Sequence, residues 1–111
     1  MQIKNSDTFV TLKDEYDDIK DFASFLESQI PNKFKDQNVI VDLMKYENLT
    51  LEDLLLFIKV SNTHRKNKQS FILVNSAIDP DEIPVEMIVV PTLQEGEDVL
   101  EMEEIERDLG F

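Results

Sequence analysis

The run from Asn38 to Asn75, NVIVDLMKYENLTLEDLLLFIKVSNTHRKNKQSFILVN, constrains the fold more than any other part of the chain. Asn38–Leu43 is, after the polar Asn38, an apolar run broken only by Asp42, and Ser70–Val74 is a second run of the same kind. Continuous rather than alternating apolar character marks strands covered on both faces. Between them Thr50-Leu51-Glu52-Asp53 has the pattern of a capping box, in which a hydroxyl serves an orphan amide and an acid stands at the third position. The helix it opens is expected to run four turns, to the basic segment His64-Arg65-Lys66-Asn67-Lys68, whose cations suit the negative end of the helix dipole. Two buried strands joined by a helix form a βαβ unit, which is right-handed in nearly all cases.

The flanking sequence extends the alternation. Thr8–Leu12 has strand composition, and Gln2–Lys4 is placed either to pair with it or to precede it. From Asp14 the period changes: Tyr16, Ile19, Phe22, Ala23, Leu26 and Ile30 recur at three- and four-residue steps, which predicts an amphipathic helix with Asp14, Glu15, Asp17 and Asp18 in its first turn and Pro31 as its end. Ala77–Pro84 holds two prolines and reads as a turn with room for a single helical turn. Glu86–Val90 is another buried-type strand. Thr92-Leu93-Gln94-Glu95 repeats the capping pattern before a helix over about 93–109, with Val99, Met102, Ile105 and Leu109 as its expected apolar stripe. The order β-α-β-α-β-turn-β-α predicts an α/β domain spanning 1–111, with a mainly parallel sheet of four or five strands and helices packed against it.

Composition restricts function. A chain of 111 residues supports one core, and its formal charge of −13 argues against nucleic acid and anionic membranes as direct ligands. Residues 79–111 hold twelve acids and one base, Arg107. This bias reads either as a solvated helix face or as steering toward a basic partner. There is no cysteine, and no apolar leader follows Met1, so a cytoplasmic setting is expected. Asn48-Leu49-Thr50 matches a glycosylation acceptor, which carries no weight without a secretory signal.

Catalytic motifs are lacking. The only histidine, His64, stands in the basic run at a helix end, where it is expected to be a surface residue. With one histidine and no cysteine, a zinc site would have to be built from carboxylates, an unusual ligand set. Neither Gly96 nor Gly110 follows a strand, so no phosphate loop is formed. Asp79-Pro80-Asp81-Glu82 lacks the spacing and glycine of a calcium loop. Hence no catalysis, metal or cofactor is expected. Placing the Thr50–Arg65 helix at about 100° per residue sends Leu51, Leu54, Leu55 and Ile58 toward the sheet. Leu56 and Val60 then fall outside, with Phe57 at the boundary. This strip is either a protein-docking face or a sign that the helical register differs or that the last helix covers it.

The chain resembles a STAS domain, the fold of bacterial anti-sigma-factor antagonists and of the cytoplasmic tails of sulphate transporters. Val41-Asp42-Leu43 matches the family's strand end, and the segment onward to Phe71-Ile72-Leu73 lies along the family pattern without a gap. The late strand and acidic last helix, Met87 to Leu109, also fit, while the third helix of the family is reduced here to Ala77–Pro84. In antagonist-type members a partner kinase phosphorylates a serine or threonine in a motif of Asp-Ser-Ser/Thr-Gly-Leu, and the phosphate releases the kinase. That motif falls on Thr50-Leu51-Glu52-Asp53-Leu54, so Glu52 occupies the phosphoacceptor position. The resemblance therefore implies a non-catalytic interaction domain without the phosphoswitch, docking an anti-sigma factor or kinase-like protein through Thr50, Glu52, Asp53, Leu56, Phe57 and Val60. Glu52 either mimics a phosphate or simply favours the helix N-terminus. Short acidic chains similar to this one are also associated with a ribonuclease Z, whose metal-bearing fold and histidine clusters are missing here. That association implies at most an acidic accessory or inhibitory subunit on a basic enzyme. A small-molecule carrier is a third option, for which no residue calls.

Overall fold

The computed structural model describes residues 1–110; Phe111, the last residue of the expected domain, lies outside them. The chain runs β1 (Gln2–Asn5), β2 (Phe9–Lys13), α1 (Ile19–Lys33), β3 (Asn38–Asp42), α2 (Leu51–Leu55), α3 (Ile58–Lys66) and β4 (Phe71–Val74). It continues through a short 3₁₀ turn (Pro80–Glu82) to β5 (Ile88–Val90) and α4 (Leu93–Asp108). The strands lie in sequence order, β1-β2-β3-β4-β5. β1 is antiparallel to β2, with Ile3 opposite Leu12, and every other pair is parallel. This is the expected mainly parallel α/β sheet, with β3, buried along its whole length, at the centre.

The crossovers from β2 to β3 and from β3 to β4 step the same way across the sheet. Right-handedness therefore places α1, α2 and α3 on one face. There Val10, Leu12, Val39, Val41, Leu43, Phe71 and Leu73 of the strand region meet Phe22, Leu26 and Ile30 of α1, Leu54 of α2, and Phe57 and Val60. The other face carries only α4, with Ile40, Ile72 and Val74 packed on Leu100. Gly96 lets that helix approach closely: an added Cβ would stand 3.5 Å from Val74 and Val90 and 3.6 Å from Ile72.

Four local expectations are corrected. α1 begins at Ile19, because Asp18 is its N-cap and accepts from the amides of Lys20 and Asp21, each at 3.1 Å. An aspartate at the cap competes successfully with earlier helical turns, so Asp14, Glu15 and Asp17 precede the helix and Tyr16 stands exposed rather than in its stripe. Pro31 lies inside the last turn, and the helix closes three residues later through Phe34 N–H to the Ile30 carbonyl at 3.1 Å. Pro31 is exposed there, so its missing N–H faces no buried acceptor.

The expected four-turn helix is two helices. Leu56 N–H bonds the Asp53 carbonyl at 3.2 Å and Phe57 N–H the Leu54 carbonyl at 3.0 Å. These are three-residue steps, which wind more tightly than the α-helix. The tighter turn advances everything after it around the axis, so Val60, expected outside, and Phe57, expected at the boundary, are fully enclosed. The residues left exposed are Leu51 and Leu55, expected inside.

The last helix is also turned. Of the expected stripe only Val99 packs against the sheet, while Met102, Ile105 and Leu109 are exposed. The cause lies in the strands beneath. The C-terminal half of α4 covers Asn38 and Ser70, two buried polar residues that require partners. Glu103 accepts from Ser70 Oγ at 2.6 Å and pairs with Arg65 at 2.9 Å. Arg107 donates to Asn38 Oδ1 and to Ser70 Oγ, both at 3.1 Å. Asn38 also donates to Glu104 and, at 3.0 Å, to the Thr8 carbonyl. Charged residues are drawn inward by this network, and the apolar row faces out.

Candidate functional site

The C-terminal ends of parallel strands are where open α/β sheets present their sites. Here those ends carry the loop from Leu43 to Leu49 and the start of α2. Asp42, the last residue of β3, turns the chain by accepting from Met44 N–H at 3.0 Å. Asn75, immediately after β4, joins two loops. Its Nδ2 donates to the carbonyls of Leu43 at 2.8 Å and Tyr46 at 2.9 Å, and its Oδ1 accepts from the amides of Ala77 and Ile78 at 2.8 and 3.0 Å. Tyr46 Oη donates to Asp14 at 2.6 Å. Burial, then this bond to a carboxylate, push the phenol well above its ordinary pKa, so it stays a donor. Lys45 stands 3.4 Å from Asp17 and 3.9 Å from Asp14.

From this braced loop, Thr50 opens α2 with the expected capping box. Thr50 Oγ1 accepts from Asp53 N–H and the Asp53 carboxylate accepts from Thr50 N–H, both at 3.2 Å. Thr50 and Asp53 therefore spend their polar groups on each other. Glu52, at the second helical position, is exposed, where its charge suits the positive end of the helix. Leu51 and Leu55 are 38% and 44% exposed and lie one turn apart, so they share a face. Leu56 is half-buried. The site residues expected from sequence thus divide: Thr50, Glu52, Asp53 and Leu56 lie on or beside the surface, whereas Phe57 and Val60 belong to the core. Leu51 and Leu55 were missed as surface residues because the kink after Leu55 has no sequence mark.

His64 is not the surface residue expected. It is enclosed in α3, edge-on to Phe71 with ring centroids 6.2 Å apart. Nε2 lies 2.6 Å from the Gln37 carbonyl and must donate to it, leaving buried Nδ1 without a partner. Burial lowers its pKa below the ordinary 6.5, opposed by the bond to Gln37, so the ring is neutral. Among the described residues, no group of three or more His, Asp or Glu side chains is placed to hold a metal. No helix of the described residues is long and apolar enough to cross a membrane.

No protein-family model matches the chain, and no curated protein matches it in sequence. Solved structures do match in shape. A serine-to-glutamate variant of Moorella thermoacetica RsbS superposes with a TM-score of 0.65 at 18% identity, over 90% of this chain and 93% of that one. A chain from the molecular architecture of the stressosome, a signal integration and transduction hub, superposes with a TM-score of 0.60, also at 18% identity, over 90% and 96% of the two chains. The chain therefore has the STAS-type α/β fold, over nearly its whole length.

Proposed function

We propose that this chain is a cytoplasmic, non-catalytic STAS-like interaction domain that docks a regulatory protein, of the anti-sigma-factor or kinase-like kind, through the N-terminal face of α2. The observation that carries this reading is the exposed pair Leu51 and Leu55 flanking exposed Glu52 at a capped, braced helix start. Apolar side chains one turn apart beside a fixed charge suit a small protein contact. Thr50 and Asp53 hold the geometry, and Leu56 closes the far edge. Phe57 and Val60 support the face from beneath.

Glu52 stands where the STAS resemblance places the phosphoacceptor, and it has no hydroxyl. One fixed charge replaces a switch that would add nearly two. That the similar RsbS chain was solved with a glutamate replacing a serine agrees with a carboxylate being accommodated in this fold. Docking is thus expected without phosphorylation, and stoichiometric phosphate on residues 50–53 of the native protein would contradict it.

Affinity capture from native lysate tests the face, with washes at low salt and at about 1 M, where the Debye length is ~3 Å. A protein retained at high salt by the native chain and lost by the folded variant Leu51→Asp/Leu55→Asp supports α2 docking. Equal capture by both chains overturns it. The alternative, an acidic subunit masking a basic partner such as a ribonuclease Z-type nuclease, draws instead on the carboxylates of α4. In its purely electrostatic form, its partner would leave at high salt.

A further inference from the structure

The exposed row on α4 lies outside the α2 face. Met102, Ile105 and Leu109 are 63%, 53% and 66% exposed. At about 100° per residue they fall within a single arc of some 60°, a continuous apolar row of roughly two turns. It is bordered by the exposed carboxylates of Asp98, Glu101, Glu106 and Asp108. The one base of the helix, Arg107, cannot offset them, since it points inward to Asn38 and Ser70. Ordinary amphipathic packing would hide such a row. The buried polar pair beneath the helix keeps it outside, so its exposure is built into the fold rather than left over from it.

An apolar row between two acidic margins specifies its complement. We infer that α4 docks a basic amphipathic helix of a partner protein, whose apolar stripe covers Met102, Ile105 and Leu109 and whose flanking lysines or arginines meet the carboxylates. A second copy of this chain is the wrong partner, because each would bring the same acidic margins and a net charge of −13. An anionic membrane is disfavoured by the same charges. This inference deepens the acidic-subunit reading and is independent of the α2 face. It differs from charge masking in requiring the apolar row, so part of the affinity should persist as salt rises.

The test uses the full chain and three synthetic helical peptides: leucine-lysine amphipathic, leucine-glutamate amphipathic, and a lysine-rich peptide with serine in place of leucine. Binding is read by fluorescence anisotropy at low and high salt. The leucine-lysine peptide should bind, and the other two should bind at least about tenfold more weakly, since each 1.4 kcal/mol is tenfold. The variant Met102→Ser/Ile105→Ser/Leu109→Ser should lose about tenfold for the leucine-lysine peptide. The control Val85→Ser, at an exposed apolar residue outside both faces, should keep native affinity. Both variants are checked for folding by circular dichroism, and the row's exposure predicts an unchanged spectrum. Equal binding of the two lysine peptides, unaffected by the triple variant, overturns the inference while leaving the acidic-subunit reading standing. No binding of either lysine peptide overturns both. A dimer in sedimentation, or attachment to phosphatidylcholine vesicles, that only the triple variant abolishes would also overturn it by assigning the row to another occupant.

Discussion

The two faces of the sheet are held by different chemistry. Among the described residues, eighteen buried apolar residues form one continuous cluster on the α1–α3 face, and four lie on the α4 face. The larger face is a conventional core, in which shape and burial decide which way each helix turns. On the smaller face, half of α4 rests on Ile72, Val74 and Val90 and the other half on a network of Asn38, Ser70, Glu103, Arg107 and Arg65. The difference explains why apolar periodicity picks the buried face of α1 (Phe22, Ala23, Leu26 and Ile30) yet misorients α4. Periodicity assumes that a helix meets an apolar surface. Where the surface offers buried polar groups, the helix above must supply their partners, because an unpaired buried polar group costs about 1–3 kcal/mol.

Substitutions can break this contrast. Phe57→Ala removes a ring enclosed between the sheet and α1, edge-on to Phe22 with centroids 6.4 Å apart. It should cost about 3–5 kcal/mol, read from urea unfolding. A loss typical of a surface residue would mean that the kink after Leu55 is wrong and Phe57 faces solvent after all. Glu103→Ala leaves Ser70 Oγ and Arg65 short of an acceptor and should cost about 1–3 kcal/mol by the same measurement. A neutral result would show that the polar network does not hold α4 in its orientation.

Acid should act first on the larger face. His64 is neutral when folded and its folded pKa lies below 6.5. Its contribution is therefore complete above pH 6.5 and declines as pH falls through that value, when the unfolded chain takes up the proton first. The slope from this group reaches at most about 1.4 kcal/mol per pH unit until its folded pKa is passed. An NMR titration of the ring should place its midpoint below 6.5, and a midpoint at or above that value would contradict the enclosed, half-partnered ring. The smallest effect is expected at Gly96→Ala. The new methyl meets its neighbours at ordinary contact distance, and alanine is better than glycine within a helix by about 1 kcal/mol. A modest rise in stability is expected. A fall would mean that α4 sits closer to β4 and β5 than described.

What was legible in the sequence follows from local rules. Continuous apolar runs marked β3 and β4, the Thr50 capping box marked the start of α2, the paired prolines of Ala77–Pro84 excluded a long crossover, and alternation of elements implied a parallel sheet. The STAS resemblance, drawn on the Val41–Leu43 strand end, is matched by the fold. The capped start of α2, Thr50 with Asp53, was legible for the same reason: capping is a short-range hydrogen-bond pattern. Asn75 carried a faint signal, since asparagine after a buried strand favours turns, but its bonds to Leu43 and Tyr46 span about thirty residues.

The sequence by itself determined where strands and helices form, since capping, proline geometry and apolar patterning act within a few residues. Only the tertiary structure decided which way α3 and α4 face, and with them which apolar residues meet solvent. Two tight hydrogen-bonded steps after Leu55 rotated Phe57 and Val60 inward. A buried asparagine and serine, brought together by β3 and β4, drew Glu103 and Arg107 inward and left Met102, Ile105 and Leu109 outside. Orientation depends on the surface a helix meets, and that surface is assembled from residues distant along the chain.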